Sequence, residues 1–260
     1  MTAPVYLERD GGVAVIVIDN PPINAGSAAV RQGLMDALQT LCTDDTLVVV
    51  GAMRPADAVG YDGLRNFANA VRVASDADAS GRGVLVVMGD RVFAARDVRK
   101  VRTRGTDAFR GFPRESVALV TPASLDWFGA PWRSDAGAQL AWADVLPLVP
   151  ILYAYAGMQP DALTCLIGPE TRGIVIAGLG EGNMPELVRQ ELVARRKQGL
   201  IVVRASRIDE GLVDREPDDD PNGFVAARAL SPPKARILLQ LLIANGITDL
   251  AAIQAAFDAR

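Results

Sequence analysis

The sequence predicts an α/β protein of two domains, and three observations carry this. The chain has 260 residues, 50% hydrophobic and 22% charged. At about 150 residues per domain, that is one or two domains with a sizeable core. Thr46–Val50 and Gly83–Met88 are short apolar runs of the kind that form buried strands. From Leu146 to Arg260 strand-like runs alternate with helical patterns. That alternation is the mark of βαβ units and a parallel sheet with helices on both faces.

The elements follow in order. Val5–Glu8 and Val13–Ile18 flank Arg9-Asp10-Gly11-Gly12 and read as a hairpin. Asn20-Pro21-Pro22 breaks the strand, and Ser27 is the expected N-cap of a helix over Ala28–Leu41. Val30, Leu34, Leu38 and Leu41 share one face of it. After the Thr46–Val50 strand, Asp62 is expected to cap a helix over Gly63–Ala74, with Leu64, Phe67, Ala68 and Val71 at helical spacing. Gly89-Asp90 turns the Gly83–Met88 strand into a second hairpin with Arg91–Ala94. From Asp97 to Trp142 periodicity weakens, and the segment reads as a long loop and an interdomain linker.

The second half is cleaner. Strands are expected at Val149–Tyr155, Gly173–Ala177, Leu200–Arg204 and Gly223–Ala227. Helices are expected at Pro160–Leu166, Met184–Lys197, Pro232–Ala244 and Leu250–Phe257. The acidic run Asp214–Asp220 reads as a solvated loop.

Composition limits the chemistry. Lys and Arg number 27 against 31 Asp and Glu, for a net charge of -4. No basic excess exists to neutralise phosphates, so a nucleic-acid partner is not expected. Histidine is absent, which excludes Ser-His-Asp and Cys-His catalysis within the chain and every His metal site. Two cysteines, Cys42 and Cys165, make neither a zinc site nor a disulfide framework. No metal and no cofactor are expected. The amino terminus has no basic and apolar leader pattern. The longest apolar runs, Val13–Ile18 and Leu146–Tyr155, fall short of the roughly 20 residues that span a bilayer. The expectation is a soluble, cytoplasmic protein with no membrane partner.

Two local patterns bear on function. Gly178-Leu179-Gly180-Glu181-Gly182-Asn183 joins a strand to a helix. Its G-x-G-x-G spacing is not the dinucleotide fingerprint, so it reads as a plain strand-to-helix turn. Lys100 lies in Arg99-Lys100-Val101-Arg102-Thr103-Arg104, and a lysine of lowered pKa can activate a neighbouring hydroxyl.

Longer blocks carry a resemblance. They include Val48-Val49-Val50-Gly51-Ala52-Met53-Arg54-Pro55, Asp62-Gly63-Leu64-Arg65-Asn66, Gly81–Met88 and Ala95–Lys100. In the second half they are Tyr153–Ala156, Gly173–Asn183, Val202–Arg207, Gly223–Ala226 and Pro233–Leu241. In this order, from Val48 to Phe257, they resemble the bacterial type II L-asparaginases. Residues 1–47, with Gly12–Ala25 and Ser27–Leu38, instead resemble the start of the enoyl-CoA hydratase (crotonase) family. The resemblances imply a chimera: a crotonase-like hairpin and helix at 1–47 and the rest of an incomplete asparaginase-like amino domain at 48–130. A linker at 131–146 and a flavodoxin-like three-layer carboxy domain at 147–260 follow. The hairpin and helix would partly replace missing strands of the first sheet.

The asparaginase resemblance implies hydrolysis of L-asparagine to L-aspartate and ammonia, without cofactor, in a homo-oligomer (dimer or tetramer) whose sites lie between subunits. Lys100 matches the lysine that assists a catalytic threonine. Ala52 and Met53 match the strand end that touches the substrate amide. Glu216 matches the acid that a neighbouring subunit offers to the substrate's amino group. Gly157 stands where many members have Asn. The family's Gly-Gly-Thr-Ile and His-Gly-Thr-Asp-Thr motifs are both missing, and Thr43-Asp44-Asp45-Thr46 is only an echo of the second. Val101 and Arg102 replace the Thr and Asn that follow the lysine. Very low or absent activity is implied, with an inactive relic, an oligomerisation partner or a CoA-thioester-binding fragment as alternatives.

Overall fold

The computed structural model describes residues 4–10, 13–18, 27–41, 46–131, 140–141 and 143–259. The Gly11-Gly12 turn, Asn20-Pro21-Pro22, Thr43-Asp44-Asp45 and most of the expected linker lie outside the described residues. The chain divides into two compact units, residues 1–111 with 115–133, and residues 112–114 with 134–260.

In the first unit, β1 (Val5–Asp10) and β2 (Val13–Ile18) pair antiparallel, with Val5 opposite Ile18. Helix α1 (Ala28–Thr40) begins as expected, the Ser27 hydroxyl accepting from the Val30 amide at 3.2 Å. A Cβ at Gly33 would stand 2.7 Å from that of Val5, so glycine there lets α1 close onto β1.

The main sheet has the order β3-β4-β5-β8-β9. Its strands are β3 (Leu47–Val50), β4 (Val84–Met88), β5 (Arg91–Ala94), β8 (Ala118–Val120) and β9 (Leu125–Trp127). Only the β3–β4 pair is parallel. Helix α2 (Gly63–Ala74) contributes Ala70 and Val73 to a core with Leu85, Val87, Val92, Ala118 and Val120. A further ribbon pairs β6 (Val98–Lys100) with β7 (Phe109–Gly111).

Two expectations are corrected here. The β1–β2 hairpin forms a sheet of its own and adds no strand to the five-stranded sheet; its hydrogen bonds close within the pair. Also, the described residues between Asp97 and Trp142 carry four strands, β6 to β9, where a loop was expected. Each is three residues long, too short to show a period of two against its Arg, Gly and Pro neighbours.

The second unit has the parallel sheet that the alternation predicted, in the order β10 (Ile151–Tyr153), β11 (Gly173–Gly178), β12 (Ile201–Ser206) and β13 (Phe224–Ala226). Alternate residues face opposite layers. Ile174, Ile176 and Val202 pack with Leu163 of α3 (Asp161–Thr164) and with Val188 and Leu192 of α4 (Glu186–Arg196). Val175, Val203 and Val225 pack with Leu239 and Leu242 of α6 (Pro232–Ala244) and Ile253 and Phe257 of α7 (Leu250–Asp258). The three layers agree with expectation. The strictly sequential strand order departs from the flavodoxin order 2-1-3-4-5. A one-residue correction concerns Gly223, which ends the short helix α5 (Asp219–Asn222) at φ 71° instead of opening β13.

Candidate functional site

In the first unit the chain leaves β3 at Gly51 and reaches Ala52 and Met53, the former exposed and the latter half-buried. The Asp62 carboxylate was expected to cap α2. It makes no side-chain cap bond and instead accepts from the Met53 amide at 3.0 and 3.1 Å and from the Arg54 amide at 3.0 Å. Fully buried Asn66, one helical turn on, donates to the Gly51 carbonyl at 2.8 Å and to Asp62 at 3.0 Å. Its carbonyl oxygen accepts from the Gly89 amide at 3.0 Å. The Asp62 and Asn66 side chains, at and just inside the start of α2, thus fix the end of β3 and the β4–β5 turn together.

Partial burial pushes the Asp62 carboxyl up, but the Met53 and Arg54 amides and the Asn66 amide outweigh it, so the group sits below the ordinary carboxylate value. A depressed carboxylate stabilises the fold fully above its unfolded pKa, about 3.9. That contribution is lost as pH falls through the folded value. Asp62→Asn is therefore expected to destabilise the first unit at pH 7. The difference from wild type should shrink as pH falls through the folded value, as read by urea unfolding across the acid range.

Lys100 ends β6, exposed, with its ammonium 5.9 Å from the Phe109 ring centroid, Phe109 being its cross-strand partner. Among the described residues no hydrogen bond or ion pair joins Lys100 to Ala52 or Met53.

In the second unit the loop Gly178–Asn183 folds back at the carboxyl ends of β11 and β12. Leu179 and Asn183 exchange two backbone hydrogen bonds, each 2.8 Å. A Cβ at Gly178 would meet the Gly182 carbonyl carbon at 2.3 Å. The obstructing atoms are all Gly182 backbone, so none can swing aside as a flexible side chain would. Gly178→Ala should cost about 1–3 kcal/mol and open the loop, visible as faster amide exchange at Leu179 and Asn183.

Below this loop lies a charged network. Arg204, fully buried in β12, donates to both Asp219 carboxylate oxygens at 2.7 and 2.6 Å. It also donates to the carbonyls of Glu181 and Asp214, each at 2.9 Å, and to Glu216 at 3.2 Å. All five guanidinium hydrogens are thus engaged. The Glu216 side chain is 32% exposed, and its second oxygen lies 3.8 Å from Arg189 of α4. The Glu216 amide donates to Asp219 at 2.9 Å.

Asp219 lies in the run expected to be solvated, yet it is fully buried. The correction has a plain cause: a guanidinium at zero exposure needs a carboxylate of equal burial. Arg204 inside the apolar run Ile201–Ser206 was the available signal. Arg189 and Asn66 carried no such mark. Ala52 and Met53 are chain neighbours in the first unit, where Lys100 also lies, whereas Glu216 belongs to the second.

Comparison with known proteins decides the lineage. Residues 36–133 match the asparaginase N-terminal family model, and residues 148–257 match the glutaminase/asparaginase C-terminal domain. A solved structure described as a probable cytoplasmic L-asparaginase from Campylobacter jejuni superposes with a TM-score of 0.77 at 32% identity. That alignment covers 84% of this chain and 68% of the other.

The chain belongs to the asparaginase family.

L-asparaginase 2 of Escherichia coli is 38% identical over 209 residues, 78% of this chain and 60% of the relative. A glutaminase-asparaginase of Pseudomonas aeruginosa is 36% identical over 202 residues, 75% of this chain and 56% of the relative. The chain thus spans about 60% of the length of such curated relatives. The amino-terminal asparaginase match begins at residue 36, inside α1, and so takes in part of the segment read as crotonase-like. Among the described residues no helix is long and apolar enough to cross a membrane.

Proposed function

We propose that this chain is an asparaginase-family amidohydrolase by descent whose hydrolysis of L-asparagine to L-aspartate and ammonia is very low or lost. One observation carries this. Lys100, the residue the family would use to assist a threonine, has Val101 and Arg102 after it, and neither threonine motif occurs in the 260 residues. An ordinary hydroxyl is a weak nucleophile at neutral pH and must be activated in place. The expected result is ammonia release from L-asparagine at least about 100-fold slower than from an ordinary family member. Release at a comparable rate overturns the reading.

In this proposal the strand end at Ala52 and Met53 touches the substrate amide, and Glu216 from a neighbouring copy of the chain binds the substrate's ammonium group. The protein is cytoplasmic and needs no cofactor. Asp62 already holds the Met53 amide, which leaves the exposed Ala52 for contact.

A second reading is a chimeric assembly partner without turnover. The second unit supports it: the family match there runs from residue 148 to 257 and takes in all four strands of the sheet. The separate β1–β2 sheet, which precedes the start of the family match at residue 36, is what this reading has in support of a distinct origin for the hairpin. Light scattering on the eluting protein, alone and mixed with a full-length asparaginase, should show an oligomer. A strict monomer in both would sink this reading. Calorimetry with CoA thioesters addresses the remaining crotonase-like alternative, which predicts binding tighter than millimolar.

A further inference from the structure

We propose that the second unit carries an anion site at the amino ends of β11 and β12, where Arg172 and Arg195 take a phosphate dianion, either free or as the terminal group of a small metabolite.

The site is a cavity of about 420 Å³ whose wall includes Ile167, Thr171, Arg172, Arg195, Gln198 and Leu200. That volume falls in the range of about 300–1,000 Å³ typical of small-molecule sites. Two guanidinium groups belong to the wall and no carboxylate does, in a chain whose net charge is -4. Arg172 directly precedes β11, and Leu200 directly precedes β12. The cavity therefore lies at the opposite end of β11 from the Gly178–Asn183 loop.

Hydrogen bonds fix the frame. The Arg172 amide donates to the Leu148 carbonyl at 3.1 Å, and the Arg172 carbonyl accepts from the Ile201 amide at 3.2 Å. The buried Thr171 hydroxyl donates to the Leu166 carbonyl at 3.2 Å and accepts from the Gly168 amide at 3.0 Å. Across the cavity, the carbonyls of Arg195 and Arg196 in the last turn of α4 accept from the Gln198, Gly199 and Leu200 amides at 2.9 to 3.3 Å. Those acceptors are already answered.

Donors are what remain. Arg195 is held by its Nε, which donates to Glu191 at 2.7 Å. Among the described residues its two outer nitrogens have no partner, and neither the Arg172 guanidinium nor the Gln198 side-chain amide has a hydrogen bond or ion pair. Glu170 is exposed and is not part of the wall. Two cations with open planar forks of N–H groups suit the oxygens of a phosphate, which carries a charge of about -1.5 to -2 at pH 7. Ile167 and Leu200 offer apolar surface to a short organic body.

Calorimetry with inorganic phosphate and with glycerol 3-phosphate tests this on the full chain, at an ionic strength held constant with KCl. At least one of the two should bind at one site per chain with a Kd below about 5 mM. Tighter binding of glycerol 3-phosphate identifies a metabolite as the source, and equal or tighter binding of inorganic phosphate identifies the free ion. Arg172 is exposed, so Arg172→Gln keeps the fold, and it should weaken binding by about fivefold or more. Arg195→Gln should do the same. Lys197→Gln removes the same charge from an exposed position next to the wall and should weaken binding less than either arginine variant. The proposal is overturned if both Kd values exceed about 5 mM, if Arg172→Gln weakens binding by less than about fivefold, or if Lys197→Gln weakens it as much.

Discussion

Asp219→Ala is expected to destabilise the second unit by about 3–5 kcal/mol, the usual cost of breaking a buried ion pair by removing one partner. The reason is the charge left behind. Arg204 would keep zero exposure with its two shortest bonds, 2.6 and 2.7 Å, gone. The Glu216 amide would lose its acceptor as well. Equilibrium urea unfolding measures the cost. The informative comparison is Arg204→Met with Asp219→Leu, which removes both charges at roughly constant volume. Such replacements are often neutral or stabilising, so the double variant should recover most of the loss. If Asp219→Ala costs less than about 1 kcal/mol, the network does not organise the two loops. Recovery of stability should not restore order at Glu216, whose partner Arg204 is then missing.

Lys100→Met should reduce whatever ammonia release the chain retains by about 100-fold or more, the scale of a lost proton-transfer group. Stability should change by no more than about 0.5 kcal/mol, because the side chain is exposed. Its one described contact, the distant Phe109 ring, is also reachable by the methionine thioether. The companion variant Glu216→Ala should raise KM for asparagine more than it lowers kcat, as loss of a binding contact does. Turnover indifferent to both substitutions would belong to a contaminant or to another site.

How much of this could be read beforehand depended on whether the determining interaction was local. The strands at Gly173 and Leu200 were legible because burial on both faces writes itself as an unbroken apolar run. Ser27 was legible as a cap because its partner is three residues away. Asp62 looked the same, yet its partners are the amides eight and nine residues earlier, and nothing in the local pattern separates the two cases. Strands β6 to β9 hid because three residues hold no period. Asp219 hid inside an acidic run whose other members are exposed or half-buried. Its partner is fifteen residues back, and only the odd arginine in an apolar strand hinted at it. Ala52, Met53 and Glu216 came from family likeness alone, whereas Lys100 was also marked by its local pattern. The ion pairs that surround Glu216 needed coordinates.

The sequential order of β10 to β13 has a consequence for synthesis. When strands are laid down side by side in one direction, right-handed crossovers keep every connecting helix on the same face. Here α3 and α4 share the layer with Ile174, Ile176 and Val202. The opposite face waits for α6 and α7, encoded after the last strand, to bring Leu239, Leu242, Ile253 and Phe257. As the chain leaves the ribosome, one side of the sheet can be clothed while the other still shows Val175, Val203 and Val225 to water. Vectorial folding of this unit therefore closes its second face late, and until then the nascent sheet carries the exposed apolar surface that makes folding species prone to aggregate.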